Sequence, residues 1–269
     1  MLFRSIPALT TALSGLQNGD TSGQAISTSA TVGVGGSTSS TGNYTAGDHA
    51  LTPSGAAGGL GYGFSYTAGT LTVNKKAITA SGITAANKVY DSTPTATLDT
   101  GSAALTGGAA ADDDNKYYAG DTVALDVSGA SGAFADKNVD TGKAVTVTGL
   151  ALTGADAGNY TVSDGSGATA DITAKAITAS GISAADKVYD STPTATLNTG
   201  AAGLTGGAAA ADDNKYYTGD TVSLDVSGAS GAFADKNVGI GKAVTVGGLA
   251  LTGADAGNYT VSDGSGATA

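Results

Sequence analysis

Short stretches in which apolar and polar residues alternate run along most of the chain. In residues 122–127, Val123, Leu125 and Val127 fall on one face and Thr122, Ala124 and Asp126 on the other, the period-2 pattern of a half-buried strand. Residues 143–148 repeat it, and Gly149 then shifts the phase so that Leu150 and Leu152 take the inward positions, for which a β-bulge is expected. Residues 70–73 alternate in the same way, and residues 78–83 and 95–98 are further candidate strands. Because proline cannot donate to a central ladder, residues 90–94, ending in Pro94, are expected to cross an end of a sandwich, with Asp91 as a turn former.

The spacing of these stretches is regular. Gly-Ala-Asp-Ala-Gly-Asn-Tyr-Thr-Val, residues 154–162, returns unchanged at 253–261 and in degraded form at Gly61, Tyr62, Gly63 and Phe64. Residues 78–170 and 177–269 align without a gap at an offset of 99, with eleven differences, among them Asn87 to Asp186, Asp112 to Ala211 and Asp140 to Gly239. This is a tandem duplication of a domain-sized block, and a period near 100 suits an immunoglobulin-like β-sandwich of about seven strands. Asp-x-Gly-x-Tyr at a strand entrance predicts a tyrosine corner, in which the Tyr160 phenol bonds back to the backbone. Residues 6–75 do not match the block except at their end, but an Asn18-Gly19 turn and alternation at Val32 and Val34 read as β, with residues 33–42 as a loop within a domain. The joins at 72–78 and 170–177 contain no Pro/Gly/Ser linker, which predicts modules stacked end to end as a semi-rigid rod.

Composition sharpens the class. All 23 acidic residues are Asp, with no Glu, and Gly, Ala, Ser and Thr dominate the remainder, a vocabulary of turns and strands that disfavours long helices; the expected fold is all-β. The absence of Cys excludes a disulfide framework and a Cys-type zinc site. A formal charge of −11 repels phosphate backbones and anionic lipid, so neither nucleic acid nor membrane insertion is expected, and no run approaches the roughly 20 apolar residues of a spanning helix.

Candidate chemistry is thin. Asp112, Asp113, Asp114 and Asp121, with Asp212, Asp213 and Asp220 in the second copy, concentrate hard oxygen ligands of the kind calcium takes; the spacing is not that of an EF-hand, and a solvated acidic loop is the reading preferred, so no cofactor is expected. Tyr117-Tyr118 and Tyr216-Tyr217 are read as packing residues, with an exposed ligand platform as the alternative. Lys137, Asn138 and Asn159, with Asp136 or Asp156 as helper, carry the groups of an isopeptide pair but are read as surface groups; Asp136 and Asp156 have the chemistry of glycosidase carboxylates but are read as turn caps. His49 is the sole histidine, lies outside the repeats, and is expected in a solvent-exposed loop. No catalytic residue is expected.

Lys88-Val89-Tyr90-Asp91, the run from Phe134 to Val139 with Gly142 to Val145, and residues 154–160 resemble the YDG repeat domain of large bacterial surface adhesins. Ser92 and Ser191 stand where that family's eponymous glycine would be. Pro7 to Thr10, Ser14 to Asp20 and Tyr66 to Val73 resemble the MBG domain, a sandwich module found beside YDG repeats. The resemblance implies a partial MBG-like domain at 6–75 and YDG-like sandwiches at 76–174 and 175–269, the second lacking its last strand, within a longer array. It also implies a non-enzymatic stalk or spacer in a filamentous-haemagglutinin-like adhesin, secreted or cell-surface, exported by two-partner secretion. The partners so implied are neighbouring modules of the same chain; the alternative is direct binding of a host surface glycan or protein through the Asp/Tyr loop.

Overall fold

The computed structural model describes residues 9–110 and 114–269, and it is nearly all β: apart from one turn of helix at Ser22–Ala25 and 3-10 turns at Ala157–Asn159 and Ala256–Asn258, every regular element is a strand. The chain resolves into two compact units, each assembled from discontinuous segments. The first comprises Met1–Ile83, Thr100–Ala130 and Thr148–Ser166, and the second Thr84–Asp99, Ser131–Val147 and Gly167–Ala269. A compact unit is therefore not one 99-residue block: the second combines part of the first copy with all of the second.

In the first unit, Thr31–Val34, Gly47–Ser54 and Gly69–Val73 form an antiparallel sheet. After two residues the chain re-enters a strand at Lys76–Ser81, which pairs antiparallel with Ala104–Leu105 and parallel with Tyr160–Asp164. Ile78, Tyr118 and Tyr160 are buried together, and Leu152, on the strand Ala151–Thr153, and Val123, immediately before its partner strand Ala124–Asp126, close over them. His49 does not lie in a loop. It is 3% exposed in the strand Gly47–Ser54, with its ring nitrogens facing the Gly35 and Thr45 carbonyls at 3.0 and 2.7 Å. Strand alternation turns His49 inward with Leu51, so its ring is buried against two backbone carbonyls, either of which can accept from the ring N–H.

In the second unit, Lys88–Val89, Thr169–Thr173, Asp140–Thr148, Ser131–Phe134 and Thr95–Ala96 form a five-stranded sheet in that order. Pro94 precedes the short edge strand Thr95–Ala96 and its carbonyl accepts from Phe134 N–H at 2.8 Å, so the missing proline donor costs nothing there. A single residue, Ala174, separates Thr169–Thr173 from Lys175–Ser180, which pairs with Gly203–Leu204 and in parallel with Tyr259–Asp263. One core runs through this join: Tyr90, Phe134, Val145 and Ile172 of the first copy are buried with Ile177 and Tyr259 of the second.

The expected bulge at Gly149 is instead a change of sheet. Asp140–Thr148 pairs with Thr169–Thr173, whereas Ala151–Thr153 pairs with Ala124–Asp126. Gly149 adopts φ 77°, and a Cβ there would meet the Gly129 carbonyl oxygen at 2.0 Å, so the phase shift reflects a tight crossing that only glycine fits.

Candidate functional site

The recurrent stretch that begins at Gly154 folds as a clasp. Gly154 (φ 110°) passes so close to the Thr122 carbonyl oxygen that a Cβ would sit 2.4 Å from it. This approach lets Asp156 N–H donate to that carbonyl at 3.1 Å while Asp156 Oδ2 accepts from Thr122 N–H at 2.8 Å. The 3-10 turn Ala157–Asn159 then delivers Tyr160 into the strand Tyr160–Asp164. Its hydroxyl accepts from Tyr118 N–H at 3.1 Å and donates to Asp121 Oδ2 at 2.5 Å. Burial and the adjoining Asp121 carboxylate raise the Tyr160 phenol well above its ordinary pKa.

The corner is thus a tyrosine hydroxyl inserted into a four-residue turn, Tyr118 to Asp121, closed by Asp121 N–H to the Tyr118 carbonyl at 3.2 Å. It recurs at Tyr259 with Tyr217 N–H and Asp220. It recurs again at Tyr62, which accepts from Gln17 N–H at 3.0 Å and donates to Asp20 at 2.8 Å. The degraded motif at Gly61 to Phe64 therefore keeps the full hydrogen-bond pattern, and the Asn18-Gly19 turn, both residues at positive φ, is its receptor.

In each YDG-like copy the carboxylate and amide groups around the corner receive donors from a loop that precedes them in the chain. Within the first unit, Ser40 N–H and Oγ donate to Asp156, Thr41 Oγ1 donates to Asp121 at 2.7 Å, and Ala46 N–H donates to Asn159 Oδ1 at 2.9 Å. Within the second unit the same three acceptor positions are Asp255, Asp220 and Asn258. Lys137 Nζ lies 2.5 Å from Asp220 and 3.2 Å from Asp255, and Val139 N–H donates to Asn258 Oδ1 at 2.9 Å. Asn258 Nδ2 donates to Asn138 Oδ1 at 3.2 Å. Tyr90 OH donates to Asp220 at 2.8 Å, and its fully buried ring stands edge-on to Tyr259 at 5.3 Å.

These contacts set the electrostatics. Burial opposes ionisation of Asp220, but hydrogen bonds from Lys137, Tyr259 and Tyr90 outweigh it and hold the carboxyl below its ordinary range. Asp156 behaves alike, with Ser40 and Thr122 as the stabilising donors. Lys137 is desolvated, yet Asp220, Tyr90 and Asp255 keep its ammonium more stable than in water and raise its pKa.

A second buried pair lies beside each corner. Lys76 and Lys175 are fully buried, with Nζ 3.0 Å from Asp114 and 2.9 Å from Asp213 and 5.5–5.6 Å from the ring centroids of Tyr118 and Tyr217. Asp213 also accepts from Ala209, Ala210 and Lys215 N–H, and the Lys175 contact with these donors depresses its pKa strongly.

The described calcium candidates have separate partners. Asp114 and Asp213 face lysines, Asp121 and Asp220 face tyrosines, Asp212 is exposed, and Asp112 and Asp113 lie outside the described residues. Among the described residues no three His or acidic groups are placed to share a cation. Tyr118 packs in the core and Tyr117, Tyr216 and Tyr217 are half-buried. Asp136 is held by Lys143 and caps Asn138 N–H at 2.8 Å, a turn role, while Asp156 belongs to the clasp. Of the isopeptide set, Lys137 is ion-paired with aspartates, and the side-chain oxygens of Asn138 and Asn159 accept from amide groups. The surface reading holds for the exposed Asn138; it does not show the ion pairs of the half-buried Lys137 or the burial of Asn159, and Lys76 and Lys175 were not singled out by the sequence. The available signal was the Gly-Asp dipeptide, at 19–20, 120–121 and 219–220, ahead of each Gly-x-Tyr or Gly-Tyr.

Comparison with known proteins agrees with this geometry. The MBG domain (YGX type) matches residues 3–72, and the YDG domain matches residues 74–169 and again 173–268. No curated protein and no solved structure gives a significant match. Domains of these two kinds occur in repeat regions of surface proteins, which suggests a structural or adhesin-like role. The second YDG match brings the corner of Tyr259 against the Lys88 to Asp91 and Lys137 to Val139 segments of the first, and with most of its length covered by the two matches the chain belongs to the YDG domain family.

Proposed function

We propose that this chain is a structural spacer in a secreted or surface-exposed bacterial adhesin of the filamentous-haemagglutinin-like kind, in which Ig-like modules in series project a distal binding region. The partners in this reading are neighbouring modules, and no enzymatic step is assigned. The observation that carries it is the continuous core and ion-paired joint through which the first copy meets the second within one compact unit, with a single residue between their strands. Such a joint restricts hinge motion and passes load through a ladder and a buried charge cluster. The polar groups that could otherwise engage a ligand, Asp121, Asp156, Asp220 and Asn258, are occupied by neighbouring segments.

Single-molecule stretching between the chain termini tests the reading. Cooperative unfolding steps at forces typical of load-bearing domains are expected, with Lys137→Ala lowering the force of the step that contains the joint. Saturable binding of the intact chain to host-surface glycans or proteins, lost on substitution of exposed loop residues without a change in melting, would overturn the spacer role in favour of direct adhesion. Chelation with EDTA is expected to leave the melting temperature unchanged, since the carboxylates near each corner are matched by ammonium, hydroxyl and amide donors.

A further inference from the structure

The second copy carries, at residues 186–192 and 235–241, the same two loops that the first copy uses to hold its successor. Their internal bonds are reproduced. Lys187 Nζ pairs with Asp190 and donates to the Thr192 and Thr194 carbonyls as Lys88 does with Asp91, Thr93 and Thr95, and Lys242 pairs with Asp235 as Lys143 does with Asp136. Ser191 repeats the positive φ of Ser92, 66° against 62°. The loops are built alike and differ in what covers them. Tyr90 is 0% exposed and Tyr189 53%; Val89 is 39% exposed and Val188 88%. Val139 is half-buried whereas Val238 is 86% exposed, and Ile240, which replaces Thr141, is wholly exposed. These side chains border an open groove of about 520 Å³.

We infer that the Tyr189, Lys236 and Val238 face is a docking surface for the leading half of a further YDG module, which would present its own Gly-Asp turn, 3-10 turn and corner tyrosine to it. The occupant is specified by the joint inside this chain. A carboxylate at the position of Asp220 would take Lys236 and Tyr189, an amide at the position of Asn258 would take Val238 N–H, and a ring at the position of Tyr259 would cover Tyr189 edge-on, as happens around Lys137, Tyr90 and Val139. In a second copy of this chain the Asp121 and Asp220 corners are already engaged, and the Tyr62 corner, which keeps its turn and the Asp20 carboxylate, has Gly61 and Gly58 where Asn258 and Asp255 stand, so it lacks the amide and the second carboxylate that the face would take. The inference rests on the spacer reading only for the choice of a like module as partner. One competing source of the exposure lies close by: Tyr90 N–H donates to the Thr173 carbonyl and Lys88–Val89 pairs with Ile172 and Thr173, whose counterparts would be residues beyond Ala269.

Hydrogen exchange on three chains separates these sources: residues 1–269, the same chain extended by a copy of residues 171–174, and the chain extended by that copy followed by a copy of 175–269. The short extension is expected to slow exchange in 187–189 alone. The long one is expected to slow 235–241 as well, by roughly tenfold or more, and alanine at the appended counterpart of Asp220 is expected to remove that protection while the appended strands stay protected. Equal exchange of 235–241 in the short and long extensions overturns the inference. So does protection of 235–241 by the short extension alone, concentration-dependent self-association that protects the face in the unextended chain, or an appended copy that does not fold. Any of these removes the docking face and leaves the spacer reading to its own force measurement.

Discussion

Ser92 and Ser191 occupy φ 62° and 66°, a left-handed conformation that costs an L-residue about 1–2 kcal/mol and glycine almost nothing. The family's glycine at this position therefore answers a backbone requirement that the chain meets with strain. Ser92 recovers part of the cost through its hydroxyl, which donates to Asp220 at 3.2 Å, while Ser191 has no such counterpart among the described residues. Ser191→Gly is accordingly expected to stabilise the chain by about 0.5–1 kcal/mol, and Ser92→Gly by less, in denaturant titrations. Tyr160→Phe removes a bond to a carboxylate as well as one from the backbone, so its cost is about 1.5–3 kcal/mol, above the value for a single neutral bond. Lys137 and Lys236 form a natural control: Lys137→Ala should cost about 1.5–3 kcal/mol by leaving Asp220 without its cation, whereas Lys236→Ala should fall within about 0.5 kcal/mol of wild type.

Among the elements, the strands were legible and their partners were not. Period-2 alternation located the inward faces of Val123 and Leu125 and of Val145 and Val147 correctly, because side-chain direction in a strand is fixed locally. The same alternation could not show that Gly149 ends one sheet's strand and leads to another's, since pairing is decided by residues far along the chain. The corner was visible as Asp-x-Gly-x-Tyr, but its receptor lies 42 residues away in the turn that ends at Asp121, and only contact reveals that both belong to one motif. His49 was misplaced for a related reason: a histidine in a Gly/Ser/Thr-rich region carries no local sign that two carbonyls await it.

For the molecule as a whole, the pH response follows from the joint. The depressed carboxyls of Asp220 and Asp156 contribute stability that is complete above about pH 4, the unfolded carboxyl range, and is lost as pH falls through their lower folded values. The raised Lys137 contributes below about pH 10.4 and is lost only as pH climbs through its higher folded value. Melting temperature should be flat between these limits and drop in acid, and Lys137→Ala should reduce the acid sensitivity attributable to Asp220. A fragment of residues 175–269 expressed alone is expected to melt well below the full chain, because it loses the Tyr90, Phe134 and Ile172 portion of the core that covers Tyr259.

Both halves of the joint lie inside one 99-residue block: the donor loop of Lys137 and Val139 and the acceptor corner of Asp220 and Asn258 occur at equivalent stations in each copy. Recombination that inserts or deletes a whole block, cut at any point, therefore rebuilds the same interface from the same residues. Length in such a gene can drift by whole blocks without a new contact having to be selected, and the near identity of the two copies is itself what makes that exchange easy.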